Sequence, residues 1–97
     1  MKVLFIEEAK LEFEDSVLFY EVEQENLGQL FKHEVKRFID IIINYPDIGK
    51  DEGYDLKSLL LHKFPYKIIY HIIDETIVIL ALAHQHRKPA YWAKRKK

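Results

Sequence analysis

The period of the apolar residues changes once along this chain, and that change limits the folds open to it. From Glu8 to Gln24, the residues Ala9, Phe13, Val17 and Tyr20 recur at helical spacing and make one stripe. From Leu27 to Tyr45 a second, broader stripe carries Leu27, Leu30, Phe31, Val35, Phe38, Ile39 and Ile42, and Pro46 stops it. Beyond residue 56 the pattern becomes short runs rich in β-branched and aromatic residues, over Lys57–Phe64, Tyr66–Ile73 and Thr76–Ala83.

These segments predict an order of elements. Lys2–Ile6 reads as an opening strand. The two helices, joined by two or three residues, form an antiparallel hairpin, with Asn26 expected to cap the second by accepting from its free N–H groups. Asp47–Gly53, with two glycines and several charges, reads as a loop. Thr76–Ala83 is almost wholly apolar, as an interior strand covered on both faces should be. Asp74-Glu75 falls where a tight hairpin turn belongs, and Pro65, which cannot donate to a ladder, should mark a strand start or a bulge. The expected fold is therefore α+β: one domain over residues 1–97, ordered β-α-α-β-β-β, with the helical hairpin on one face of a mostly antiparallel sheet.

Composition excludes several classes. An apolar content of 48% supports a packed core, and without cysteine there are no disulfides and no thiolate metal sites. The apolar run Val3–Ile6 is too short for a signal-peptide core, and no segment has the length of a membrane span. A cytoplasmic protein is the expectation. Net charge is −1, but residues 1–56 hold 14 Asp/Glu against 6 Lys/Arg and residues 57–97 hold 2 against 9, giving −8 and +7. Such asymmetry points to nucleic acid or an acidic protein as partner. The first helix itself, with Glu12, Glu14, Asp15, Glu21 and Glu23, reads as a solvated acidic face.

The basic half ends in a cluster of histidine, arginine, lysine and aromatic residues. His84 and His86, two apart at the end of the last strand, should point to one face. Arg87, Lys57, Lys63 and Lys67 can supply positive charge for a phosphate, and Tyr70 or Tyr91 a proton or a stacking surface. Lys88 and Trp92 join Tyr70 and Tyr91 as candidate RNA or partner contacts. Each residue has a plainer account. His84 can cap the strand, Tyr66 and Tyr70 can be core residues, and Tyr91-Trp92 can fold back on the sheet. His33, His62 and His71 are expected on partly exposed faces. His84-x-His86 lacks a third ligand at a telling spacing, so no metal and no cofactor is expected.

Taken in order, several pieces resemble one family. They are the doubled aromatic Phe19-Tyr20 on an acidic first helix, Leu27-Gly28 and Phe31, then Pro46 and Gly49. The strand Lys63-Phe64-Pro65-Tyr66-Lys67-Ile68-Ile69-Tyr70 follows, then Ile79-Leu80-Ala81 and an ending with His84, Arg87, Pro89 and Trp92. Over nearly its full length the chain resembles the RelE/ParE superfamily of toxins from type II toxin–antitoxin (plasmid stabilisation) systems. The resemblance implies an antitoxin partner and one of two targets: RelE-like members are mRNA interferases that cleave messenger RNA in the ribosome without a metal, and ParE-like members are gyrase inhibitors that are not enzymes. By rough superposition on the ribosome-dependent nucleases, His86 falls near a catalytic histidine and Lys67 near a catalytic arginine, while their C-terminal tyrosine has no clear match. The alternative is a non-catalytic or degenerate toxin serving as an antitoxin-binding module.

Overall fold

The computed structural model describes residues 1–87 and 90–95. The chain runs β1 (Lys2–Phe5), α1 (Glu7–Glu23), α2 (Leu27–Asn44), β2 (Lys50–Gly53), β3 (Leu56–Leu60), β4 (Tyr66–Ile73), β5 (Thr76–His84) and a 3₁₀ turn, Tyr91–Arg95. The five strands form one sheet in the order β1-β5-β4-β3-β2. Only β1 pairs in parallel, with β5, and the other three pairings are antiparallel. The α+β architecture with a helical hairpin on the sheet is as the sequence predicts, and β5 lies inside the sheet as its apolar run requires.

Three local expectations are corrected. The segment read as a loop over Asp47–Gly53 contains β2, a four-residue edge strand. Its residues Lys50, Asp51 and Glu52 are poor strand formers chosen by position: charge on a short edge blocks pairing with another chain. The turn that follows places Tyr54 and Asp55 at φ 57° and 60°, and Asp74 and Glu75 repeat the pattern at 50° and 59°. Both are two-residue turns with two left-handed residues, which suit the strand twist even without glycine. β3 stops at Leu60 rather than running to Phe64. Glu34 draws the backbone N–H groups of His62 and Lys63 to its carboxylate, at 2.9 and 2.6 Å, and so turns the chain out of the ladder.

Asn26 does not cap α2 with its side chain. It takes a left-handed conformation at φ 72° with no side-chain cap bond. The carboxylate of Glu21 instead accepts from the N–H groups of Asn26 and Gly28, at 2.9 and 3.0 Å. Gly28 is required here by proximity, since a Cβ would lie 2.6 Å from the carbonyl oxygen of Val17. The helices therefore touch backbone to backbone at the turn.

The helical face of the sheet buries Phe31, Val35, Phe38 and Ile42 of α2 against Ile68, Tyr70, Ile77 and Ile79. The assigned helical phase is correct, with Phe38 and Ile42 both in the core. On the other face Leu56, Ile69, Leu80, Ala81 and Ala83 are covered by Trp92 of the 3₁₀ turn. α1 departs from a simple stripe. Its inward residues pack as expected, yet Leu11, Leu18, Phe19 and Val22 are exposed on its outer side. Among the described residues no helix is long and apolar enough to cross a membrane.

Candidate functional site

Residues of the predicted cluster separate according to which face of the sheet they leave. His84 ends β5 opposite Tyr66 of β4, and the two rings lie 5.1 Å apart on the helical side. His86 folds back so that its ring lies 5.4 Å from that of His84 and its N–H donates to His84 Nδ1 at 3.1 Å. The two rings meet across a turn, since β5 ends at His84 and the strand alternation behind the expected shared face does not continue to His86. The capping account of His84 holds, because its ring nitrogen satisfies the next turn. Arg87 N–H closes that turn on the His84 carbonyl at 3.0 Å.

Arg87 then meets α1. Its Nη1 approaches Glu12 Oε2 at 3.4 Å, and its guanidinium lies 3.9 Å above the Tyr91 ring. Arg95 grips the same carboxylate with Nη1 and Nη2 at 2.8 and 3.1 Å, and Tyr91 donates its hydroxyl at 2.7 Å. Glu12 is therefore not part of a solvated acidic face. It is largely buried and receives five hydrogen bonds, the fifth from Leu82 N–H at 3.2 Å. Burial, reinforced by the Glu12 carboxylate, pushes the Tyr91 hydroxyl well above its ordinary pKa and keeps it protonated.

These bonds follow from the end of β1. That strand covers β5 only as far as Ile79, leaving the edge beyond it unpaired by backbone. Glu12 takes the Leu82 N–H, and Arg95 donates to the Leu80 carbonyl at 3.0 Å, so two side chains complete the edge. A shallow cleft of about 190 Å³ opens beside them, lined by Glu12, Asp15, Ser16, Tyr66, Leu82, His84 and Arg87.

Lys67 is elsewhere. It alternates with Tyr66 and Ile68 along β4 and so leaves the helix-free face. Its Nζ pairs with Glu52 Oε2 at 3.2 Å and lies 4.8 Å from the Trp92 ring centroid. Glu52 also accepts from Ser58 Oγ at 2.6 Å. Burial opposes ionisation of Glu52, but the Ser58 hydroxyl and the Lys67 ammonium outweigh it and hold its pKa below the usual value.

Lys57 sits opposite Tyr70, four residues along β4 from Tyr66, or roughly 13 Å from the histidine end at strand rise. Lys63 is exposed in the β3–β4 loop. Tyr70 is fully buried, donating to the Pro46 carbonyl at 2.8 Å and accepting from Gly49 N–H at 3.1 Å, so it presents no ring for a base to stack on. Trp92 is buried as well, and of these three candidate contacts Tyr91 alone is partly exposed. His71, expected on a partly exposed face, is buried. Lys88 lies outside the described residues. No group of three His, Asp or Glu side chains able to hold a metal occurs among the described residues.

Sequence reasoning missed Glu12, Glu52 and Glu34. Glu12 and Glu34 carried a signal: each falls at i+3 from a core residue, Ala9 and Phe31 respectively, and so lies beside a buried stripe. Glu52 had no such mark, because it depends on an edge strand that the sequence conceals.

Several solved structures share this fold. The intact E. coli RelBE toxin–antitoxin complex matches with a TM-score of 0.67 at 21% identity, over 89% of this chain and 98% of the other. Isolated E. coli RelE toxin matches at 0.66 and 21%, over 93% and 89%. The chromosomal ParDE system from P. aeruginosa matches at 0.62 and 13%, over 87% and 95%. No curated protein matches the chain. The fold is thus that of the RelE/ParE toxins. At the level of sequence, the family model for the ParE toxin of the type II toxin–antitoxin system parDE matches residues 3–89, and the chain belongs to that family.

Proposed function

We propose that this toxin acts by binding DNA gyrase, without cleaving RNA, and that an antitoxin silences it. One observation carries the reading: the cations that an RNA-cleaving centre would gather are spread over the sheet, and two of them, Lys67 and Arg87, are paired with carboxylates on separate sides of it. Lys67 is held by Glu52, Arg87 by Glu12, and Lys57 lies well along the ladder from the histidines. In the cleft beside His84 the charge of Arg87 is met by Glu12, and Asp15 adds a second carboxylate to the lining, which leaves little net positive charge for a phosphate.

A second reading has its own support in the exposed His86 beside His84, two imidazoles within reach of one reacting group. The two are separated by inducing the chain alone. Plasmid topology and purified-gyrase supercoiling report one target, and primer extension on translating ribosomes the other. Loss of negative supercoiling with intact messenger is expected. Cleaved messenger in the parent, abolished in His86→Ala, would transfer the assignment to ribosome-dependent cleavage with His86 and Arg87 as its catalytic groups and Lys57, Lys63 and Lys67 in support. Neither effect would leave the antitoxin-binding module.

The antitoxin should offer an apolar and acidic segment to the half of the chain that carries +7 over residues 57–97. Association is expected to slow as salt rises from about 0.05 to 0.5 M, because screening acts on encounter. Stopped-flow mixing measures this, and a rate independent of salt removes the electrostatic account.

A further inference from the structure

We infer that Glu12 is a positioning residue, which fixes Arg87 on the ring of Tyr91 in the orientation that the toxin presents to its target. The inference rests on the toxin reading above and adds to it a residue outside the basic cluster.

The geometry has two levels. Arg95 and Leu82 N–H hold the carboxylate, Arg95 touching both oxygens and Leu82 binding Oε1. With the carboxylate immobile, Oε2 is aimed at the Tyr91 hydroxyl, 2.7 Å away, and at Arg87 Nη1, 3.4 Å away. Tyr91 is thereby oriented, and its ring supports the flat face of the Arg87 guanidinium at 3.9 Å. Arg87 itself is 55% exposed and makes no other side-chain hydrogen bond among the described residues. One corner of its fork is tethered and one face is backed, while the rest is open.

An arginine held this way has already given up much of its rotamer freedom, so less is lost when it binds. The free edge suits a planar acceptor such as an acidic side chain of the target, which a lysine could not engage in the same two-point manner. The edge-completing bonds to Leu80 and Leu82 do not need Arg87 or the Tyr91 hydroxyl. The positioning role can therefore be tested apart from the structural one.

Two measurements make the test. Full-length chain made by cell-free synthesis with ¹⁵N-arginine gives Arg87 Nε–Hε as a resonance identified by its loss in Arg87→Lys. In the parent it should be displaced by the Tyr91 ring. Glu12→Gln should return it to the position of a free arginine, and Tyr91→Phe, which keeps the ring and removes only the hydroxyl, should shift it in the same direction by less. An unchanged Arg87 resonance in both variants overturns positioning.

The second measurement is growth arrest against titrated induction, with protein level quantified. Glu12→Gln and Arg87→Ala should each require about tenfold more toxin, within the range of coupled pairs. The double variant should be no weaker than Arg87→Ala alone. Losses that multiply mean that Glu12 acts only on the fold, and an Arg87→Ala chain as toxic as the parent removes the role altogether. Growth arrest with active gyrase would reject the proposed target and leave this inference standing, since neither readout depends on gyrase.

Discussion

Replacing Phe31 by alanine should destabilise the protein by about 3–5 kcal/mol, the usual range for a buried phenylalanine whose cavity cannot close. The ring is completely buried and meets four others: Phe13, Tyr20, Phe64 and Tyr66, at centroid distances of 6.1, 5.3, 5.1 and 5.2 Å. These neighbours come from α1, the β3–β4 loop and β4, so no single segment can move in to fill the space. A small domain has about 5–15 kcal/mol in total, and the variant would lose a large share. Urea unfolding followed by circular dichroism measures the change through the shift in midpoint at constant slope. A loss below about 1 kcal/mol would mean that the aromatic cluster collapses easily, against its packing from three directions.

That cluster also explains what could be read in advance. Phe31, Phe38 and Ile42 share a helical stripe, and the all-apolar run at Thr76–Ala83 has one natural place, inside a sheet. Periodicity reports burial, and burial fixes the layers. It does not report pairings made by charged residues. β2 consists of Lys50, Asp51, Glu52 and Gly53, and nothing in their propensity marks a strand. It exists because Asp51 and Lys50 find Lys57 and Ser58 across the ladder. A local rule predicts a loop there, and tertiary structure overrides it.

The site was legible in its residue types and less so in its grouping. Alternation along β4 already separates Lys67 from Tyr66, but whether Lys67 or Tyr66 faces His84 depends on register. Register also contains a shift between Ile69 and Tyr70 that sequence does not announce. The charge asymmetry between the halves suggested an acidic helix apart from a basic cluster. In the folded chain they meet, with Glu12 of the first bound to Arg87 and Arg95 of the second. Net charge by segment describes what a partner meets at long range and says nothing of such close pairs.

A second large effect is expected at Glu34, a carboxylate only 4% exposed in a helix otherwise read as apolar within and charged without. It accepts from the backbone of His62 and Lys63 and from Arg37 Nη2 at 3.3 Å. Glu34→Ala removes two charge-assisted bonds to main-chain donors, each about 1.5–3 kcal/mol, and water entering from the adjacent groove recovers part of that. A net loss of about 2–4 kcal/mol follows. Its consequence should reach the histidines, because the same loop holds their turn: Gln85 N–H donates to the Pro65 carbonyl at 2.8 Å. Amide exchange should therefore accelerate at His62 and Lys63, which lose their acceptor, and at Gln85, whose acceptor becomes mobile. Ile69 and Ala81, paired in the sheet interior, exchange through global unfolding and should accelerate only as far as the net loss of stability requires. Glu34→Gln keeps an acceptor oxygen and should recover a substantial part of the protection. Gln85 remaining as protected in Glu34→Ala as in the parent would show that the histidine turn is held by β5 alone, and that the loop has no part in presenting it.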